Sequence, residues 1–168
     1  IYLKEKIGDP HLFTGRSEEM RFFLKWIDNI KREISKSTAI LSRRKTGKSA
    51  ILQRLYNITF AKNDKVVPFY YEIKEGSRWI ADFAVDYFLE FIYQYIAFTT
   101  RNKEYINDNQ KNLDDALVIS DKENLPYLNG CIRVVKKYFE DQSIDLLSYS
   151  ARDAPRRIAH HKNQRIVH

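Results

Sequence analysis

The sequence predicts an α/β fold, a parallel sheet with helices on both faces, and three observations carry that prediction. The apolar run Ala39-Ile40-Leu41 empties into Thr46-Gly47-Lys48-Ser49, and a helix-forming stretch follows. A second β-rich run, residues 65–73, comes after that helix, so strands and helices alternate as in parallel sheets. A third short run, Gln164-Arg165-Ile166-Val167, follows a further series of helices.

Taken in order, residues 17–35 read as an amphipathic helix. Met20, Phe23, Leu24, Ile27, Ile30 and Ile34 recur at three- and four-residue intervals with charged residues between them. Residues 37–41 read as a short buried strand. Ile51, Leu52 and Leu55 give helical spacing from Ser49 to about Phe60. The strand at 65–73 contains Pro68, which lacks a ladder donor and predicts an edge or a bulge. Residues 78–99 carry a wide stripe of Trp79, Ile80, Phe83, Ala84, Tyr87, Phe88, Phe91, Ile92, Tyr95 and Ile96. Aromatics at that spacing are core in most proteins, and a base-stacking platform is the alternative.

Residues 101–121 are polar and rich in Asn and Asp, which predicts a helical or mobile insertion around 101–128. Leu113, Ala116 and Leu117 suggest one short helix inside it. Residues 130–142 read as a helix with Arg133, Lys136 and Lys137 opposite an apolar side, a face usually solvated but open to nucleic acid. A brief apolar segment at 146–149 precedes a basic stretch, 151–162, in which Pro155 marks a helix start.

Thr46-Gly47-Lys48-Ser49 has the chemistry of a phosphate-binding loop. The pattern G-x-x-x-x-G-K-[ST] is met in its second half, with Ser42 in place of the first glycine. Ser there costs roughly 1 kcal/mol if the position needs a left-handed backbone. The loop and the helix N-terminus present N–H groups and a positive dipole end to a polyphosphate. Lys48 reaches the β- and γ-phosphates as a point charge, the one catalytic candidate, and the Ser49 hydroxyl is the candidate Mg²⁺ ligand. The cofactor-binding set is Ser42, Arg43, Arg44, Lys45, Thr46, Gly47, Lys48, Ser49 and Ala50. A solvated basic turn between a strand and a helix is the other reading of the same residues.

Composition bounds the partners. A net charge of +7 permits nucleic acid or acidic surfaces without requiring them, since nucleotide sites are basic too. Cys131 is the single cysteine, so no internal disulfide forms, and the usage fits a reducing cytoplasm. The most apolar stretch, 83–98, carries Asp86 and Glu90 and is too short and too charged for a membrane span. His160-His161 lack zinc-ligand spacing, and Asp108, Asp114 and Asp115 lack calcium-loop spacing.

The run Leu12-Phe13-Thr14-Gly15-Arg16-Ser17-Glu18-Glu19-Met20 resembles the F-x-G-R-x-x-E box that opens many AAA+-related ATPases. About 25 residues later, Ser42-Arg43-Arg44-Lys45-Thr46-Gly47-Lys48-Ser49 is similar to the loops of archaeal-type ATPases and of signal-transduction ATPases with numerous domains. The resemblance covers roughly residues 10–75. It implies the three-layer α/β/α fold of P-loop NTPases, with ATP and Mg²⁺ as cofactors and hydrolysis driving a conformational or assembly switch. By the same resemblance Phe13, Gly15 and Arg16 line the base pocket. Read from the residues alone, this segment is a capping turn, with Ser17 as N-cap and Glu18 and Glu19 in a first helical turn.

In such ATPases the second catalytic motif is a strand ending in Asp or Asp-Glu. The run ending at Val167 resembles the start of that strand, and Asp141, Asp145 and Asp153 follow no strand. The chain is therefore expected to be the N-terminal part of an ATPase domain, incomplete at its C-terminus, that binds ATP and turns it over slowly or not at all. A protein partner or self-assembly fits the switch. A nucleic-acid-binding ATPase fragment and a non-hydrolysing scaffold with a degenerate loop are the competing classes.

Overall fold

The computed structural model describes residues 2–6, 14–34, 36–41, 43, 46–73, 76, 79–107 and 110–167. The three-layer α/β/α sandwich is not what these residues form. Helix accounts for 66% of the described residues, in six α-helices and a short 3-10 turn, with one two-stranded parallel sheet. The reason lies at residues 37–41. They run as irregular chain, and Leu41 is 92% exposed. A strand is stable only when a neighbour satisfies its backbone and covers a face. Among the described residues neither condition is met there, so a sheet centred on that run has nothing to build on. The predicted strand at 65–73 shrinks to β1, Val66–Pro68, which pairs with β2, Arg165–Val167. The Phe69 N–H donates to the Val167 carbonyl at 2.7 Å. With two strands every strand is an edge, which is where Pro68 is tolerated.

The chain divides into two compact units, residues 1–70 with 167–168, and residues 71–166. The first contains α1, Ser17–Lys31, and α2, Lys48–Lys62. Helix α1 stops four residues short of the predicted end. Glu33 takes a left-handed φ of 61°, and Ile34, beyond the helix, is 66% exposed. Arg16, not Ser17, occupies the N-cap position. Met20 and Ile27 of α1 pack with Ile51 and Leu55 of α2 and with Val66.

Helix α2 is buried on more than one side, and its buried set includes Gln53 and Asn57. Those two amides bind the segment 2–6. Asn57 Oδ1 accepts from the N–H groups of Tyr2 and Leu3 at 3.0 and 2.7 Å, and its Nδ2 donates to the Leu3 carbonyl at 2.8 Å and to Glu5 at 2.9 Å. Gln53 Oε1 accepts from the Lys6 N–H at 2.7 Å. Two buried amides four residues apart on α2 thereby serve the backbone of a segment that forms no ladder of its own.

The second unit is built on α3, Ile80–Thr100. Ala84, Phe88, Phe91, Ile92, Tyr95 and Ile96 are buried as the stripe predicts, whereas Trp79 and Ile80 are 69% and 52% exposed at its start. The 101–128 stretch holds a 3-10 turn, Lys103–Ile106, and α4, Leu113–Lys122, whose Leu113 and Ala116 are buried. Asn112 caps α4 by accepting from the Asp115 N–H at 2.8 Å. Helix α5, Pro126–Glu140, starts four residues before the predicted position because Pro126 sits in its first turn, where a missing N–H costs nothing. Of its basic residues, Lys136 is ion-paired with Asp114 and Glu140.

Helix α6 is one helix, Ile144–Lys162, not a short segment followed by a second helix. Pro155 lies inside it and is buried with Leu147, Ala151, Ala154 and Ile158. An interior proline costs about 3 kcal/mol, and the face it belongs to is the one packed on α3 and α5, which offsets that cost. Among the described residues no helix is long and apolar enough to cross a membrane.

Candidate phosphate-binding site

Gly47 is the N-cap of α2 and takes φ 83° and ψ 15°, a left-handed conformation that favours glycine. A Cβ there would meet nothing within 4 Å, so the requirement is conformational. The first helical bond runs from the Ile51 N–H to the Gly47 carbonyl at 3.1 Å. The N–H groups of Lys48, Ser49 and Ala50 lie in the first turn, at the positive end of the helix. Together with the dipole end they form a surface that favours an anion.

The loop before this helix is closed on itself. Thr46 Oγ1 donates to the Arg43 carbonyl at 2.8 Å, and Lys48 Nζ lies 3.5 Å from the same oxygen. The Lys48 ammonium thus turns back across the loop. Arg16 reaches the loop from the start of α1. Its Nη2 donates to the Thr46 carbonyl at 2.8 Å, while its Nη1 holds Glu19 Oε1 at 2.6 Å. That bond holds the Glu19 carboxyl below the usual carboxylate range, so Glu19 stays ionised and keeps Arg16 aimed. The opening box and the loop, 30 residues apart in sequence, therefore meet through one guanidinium.

A cavity of about 590 Å³ borders the loop. Arg16, Glu18, Glu19, Thr38, Thr46 and Lys48 supply its polar lining, and Phe22, Ile40 and Leu41 are among its apolar lining. Gly15 takes φ 73° in the turn before α1, and no atom lies within 4 Å of a Cβ built there. Its role is to turn the chain so that Arg16 points at the loop. Arg43 is exposed and contributes its carbonyl to the loop closure. Ser49 and Ala50 are half-buried in the first turn of α2. Phe13, Ser42, Arg44 and Lys45 lie outside the described residues. Among the described residues no group of three or more His, Cys, Asp or Glu side chains could hold a metal ion. A divalent ion at Ser49 would therefore depend on phosphate oxygens and water, as Mg²⁺ commonly does.

Sequence reasoning named the loop residues but missed the Arg16–Thr46 bond and the apolar wall made by Phe22 and Leu41. It also missed Gln53 and Asn57, whose four-residue spacing puts both amides on one side of α2. Comparison with protein families, curated proteins and solved structures finds no match to this chain.

Proposed function

We propose that the first unit binds Mg·ATP at the N-terminus of α2, as part of an ATPase of the AAA+-related kind. The observation that carries the reading is the Arg16–Thr46 bond. Two segments that independently resemble parts of one nucleotide site are joined at the loop beside Lys48. In this reading the N–H groups at the start of α2 and the Lys48 ammonium take the phosphates, and Ser49 takes Mg²⁺ with the phosphate oxygens. The apolar wall of the neighbouring cavity is large enough for the base. Hydrolysis would be phosphoryl transfer to water, helped by charge stabilisation from Lys48. A cytoplasmic setting goes with the reading, since Cys131 is a buried free thiol. A protein partner or self-assembly would receive the resulting switch.

Calorimetry with Mg·ATP on this chain and on Lys48→Ala tests it. Binding is expected in the parent chain and is expected to weaken at least about tenfold in Lys48→Ala, the effect of losing one charge-assisted phosphate contact. Gly47→Ala, which forces a Cβ into a left-handed position at about 1 kcal/mol, is expected to weaken binding as well. No heat with the parent chain, or equal heat with Lys48→Ala, would overturn the proposal.

A further inference from the structure

The second unit has its own cavity, also of about 590 Å³, between α5 and α6. Tyr127 and Cys131 line it from α5, and Arg156, Arg157, His160 and His161 line it from α6. The helical repeat explains the clustering. Positions 156 and 160 lie one turn apart on one line, and positions 157 and 161 on the next. Two guanidiniums and two imidazoles thus share a concavity with no carboxylate among the described residues that line it.

The nearby acid is already engaged, because Asp153 accepts from Arg156 Nε at 2.8 Å. Arg157 makes no ion pair among the described residues. The Tyr127 ring is braced from two directions. The Lys162 ammonium lies 3.8 Å from its centroid, and the His161 ring lies 5.5 Å away at 32°. Its hydroxyl meets that of Tyr95 at 3.5 Å. Basic residues in a last helical turn also complement the helix dipole. All four are solvent-exposed, so the site is an open concavity, and what distinguishes it from a plain basic helix end is the braced Tyr127 ring that walls it.

We propose that the α5–α6 cavity binds a small phosphate-bearing molecule. A tetrahedral phosphate accepts several hydrogen bonds at once, and paired guanidinium forks match it better than they match a single carboxylate oxygen. The volume lies in the usual range for small-molecule sites and exceeds what one inorganic phosphate fills. The apolar flank of Tyr127 and Cys131 is then available to the organic part of the ligand.

The test uses the full chain carrying Lys48→Ala, so that the loop of the first unit does not contribute, with pyrophosphate as the probe. Pyrophosphate is expected to bind, and Arg157→Gln is expected to weaken that binding at least about tenfold. Arg157 is exposed, so the substitution should leave the helical circular dichroism unchanged. A second readout sits in the cavity itself. Cys131 is 7% exposed, and its alkylation by iodoacetamide is expected to slow when pyrophosphate is bound, but not in the chain that also carries Arg157→Gln. No binding and no protection would overturn the proposal, as would binding indifferent to Arg157→Gln. Displacement of pyrophosphate by a single-stranded oligonucleotide at a lower concentration than by a nucleoside monophosphate would also overturn it, in favour of a nucleic-acid surface.

Discussion

The two units solve the same problem with different materials. In the second, the large side chains Phe88, Phe91, Ile92, Tyr93, Tyr95, Ile96, Leu128, Ile132, Leu147 and Ile158 are almost fully buried. In the first, Phe60, Val66 and Val67 are the comparable ones among the described residues. There, part of the holding together falls to hydrogen bonds from Gln53 and Asn57 and to ion pairs that link Lys31 and Lys62 with Asp28 and Asp64. Apolar burial is non-directional and additive over area, whereas each polar tie contributes only about 1 kcal/mol net. The difference teaches where adaptability lies. The first unit also carries the loop of the proposed site, and if Mg·ATP binds there as proposed, binding stabilises that unit by mass action.

The largest effect that bears on this contrast is Phe88→Ala. Phe88 is fully buried in α3, and its truncation is expected to cost about 3–5 kcal/mol, read from the urea midpoint. Amide exchange in α3 is expected to be the slowest in the chain, with exchange at 36–41 among the fastest. A loss under about 1 kcal/mol would put Phe88 outside the range for a core phenylalanine and break the contrast.

Asn57→Ala comes next. It removes an acceptor for two N–H groups and a donor to Leu3 and Glu5, so the expected cost is about 1–3 kcal/mol. Exchange at the Tyr2 and Leu3 amides should rise while exchange in α3 stays unchanged. If Asn57→Ala and Phe88→Ala cost the same, the first unit depends on its polar ties more heavily than its geometry suggests.

Asp64→Asn is the smallest. The Lys31 ammonium beside it, and the Lys65 N–H, hold the Asp64 carboxyl below its usual range. A group lowered in the folded state stabilises above its unfolded value and loses that contribution as pH falls through the lowered one. The parent chain should therefore exceed Asp64→Asn in stability at pH 7 by no more than about 1 kcal/mol, since both partners are partly solvated. The gap should close as pH drops below about 4. A gap that widens in acid would show that the substitution acts through something other than this pair.

The amphipathic helices were legible from periodicity. The Met20–Ile27 stripe and the Phe88–Tyr95 stripe face inward, as their spacing requires. The loop was legible as Gly-Lys-Ser before a helix, and Gly47 takes the left-handed turn that position calls for. The continuous α6 was not legible, because an interior proline is tolerated only when burial on both sides of it outweighs its cost, and burial is not written locally. Nor was the cavity between α5 and α6, which brings residues 127 and 131 beside 156–161.

By itself the sequence determined the apolar stripes of α1 and α3, the glycine that starts α2, and which residue types surround the loop. Those depend on interactions within a few positions along the chain. The tertiary structure alone decided that residues 37–41 remain unpaired, that Val66–Pro68 finds its partner at Arg165–Val167, and that Arg16 turns to Thr46. A strand, an ion pair or a cavity exists only when distant residues arrive together. Three apolar residues in a row carry no record of whether they do.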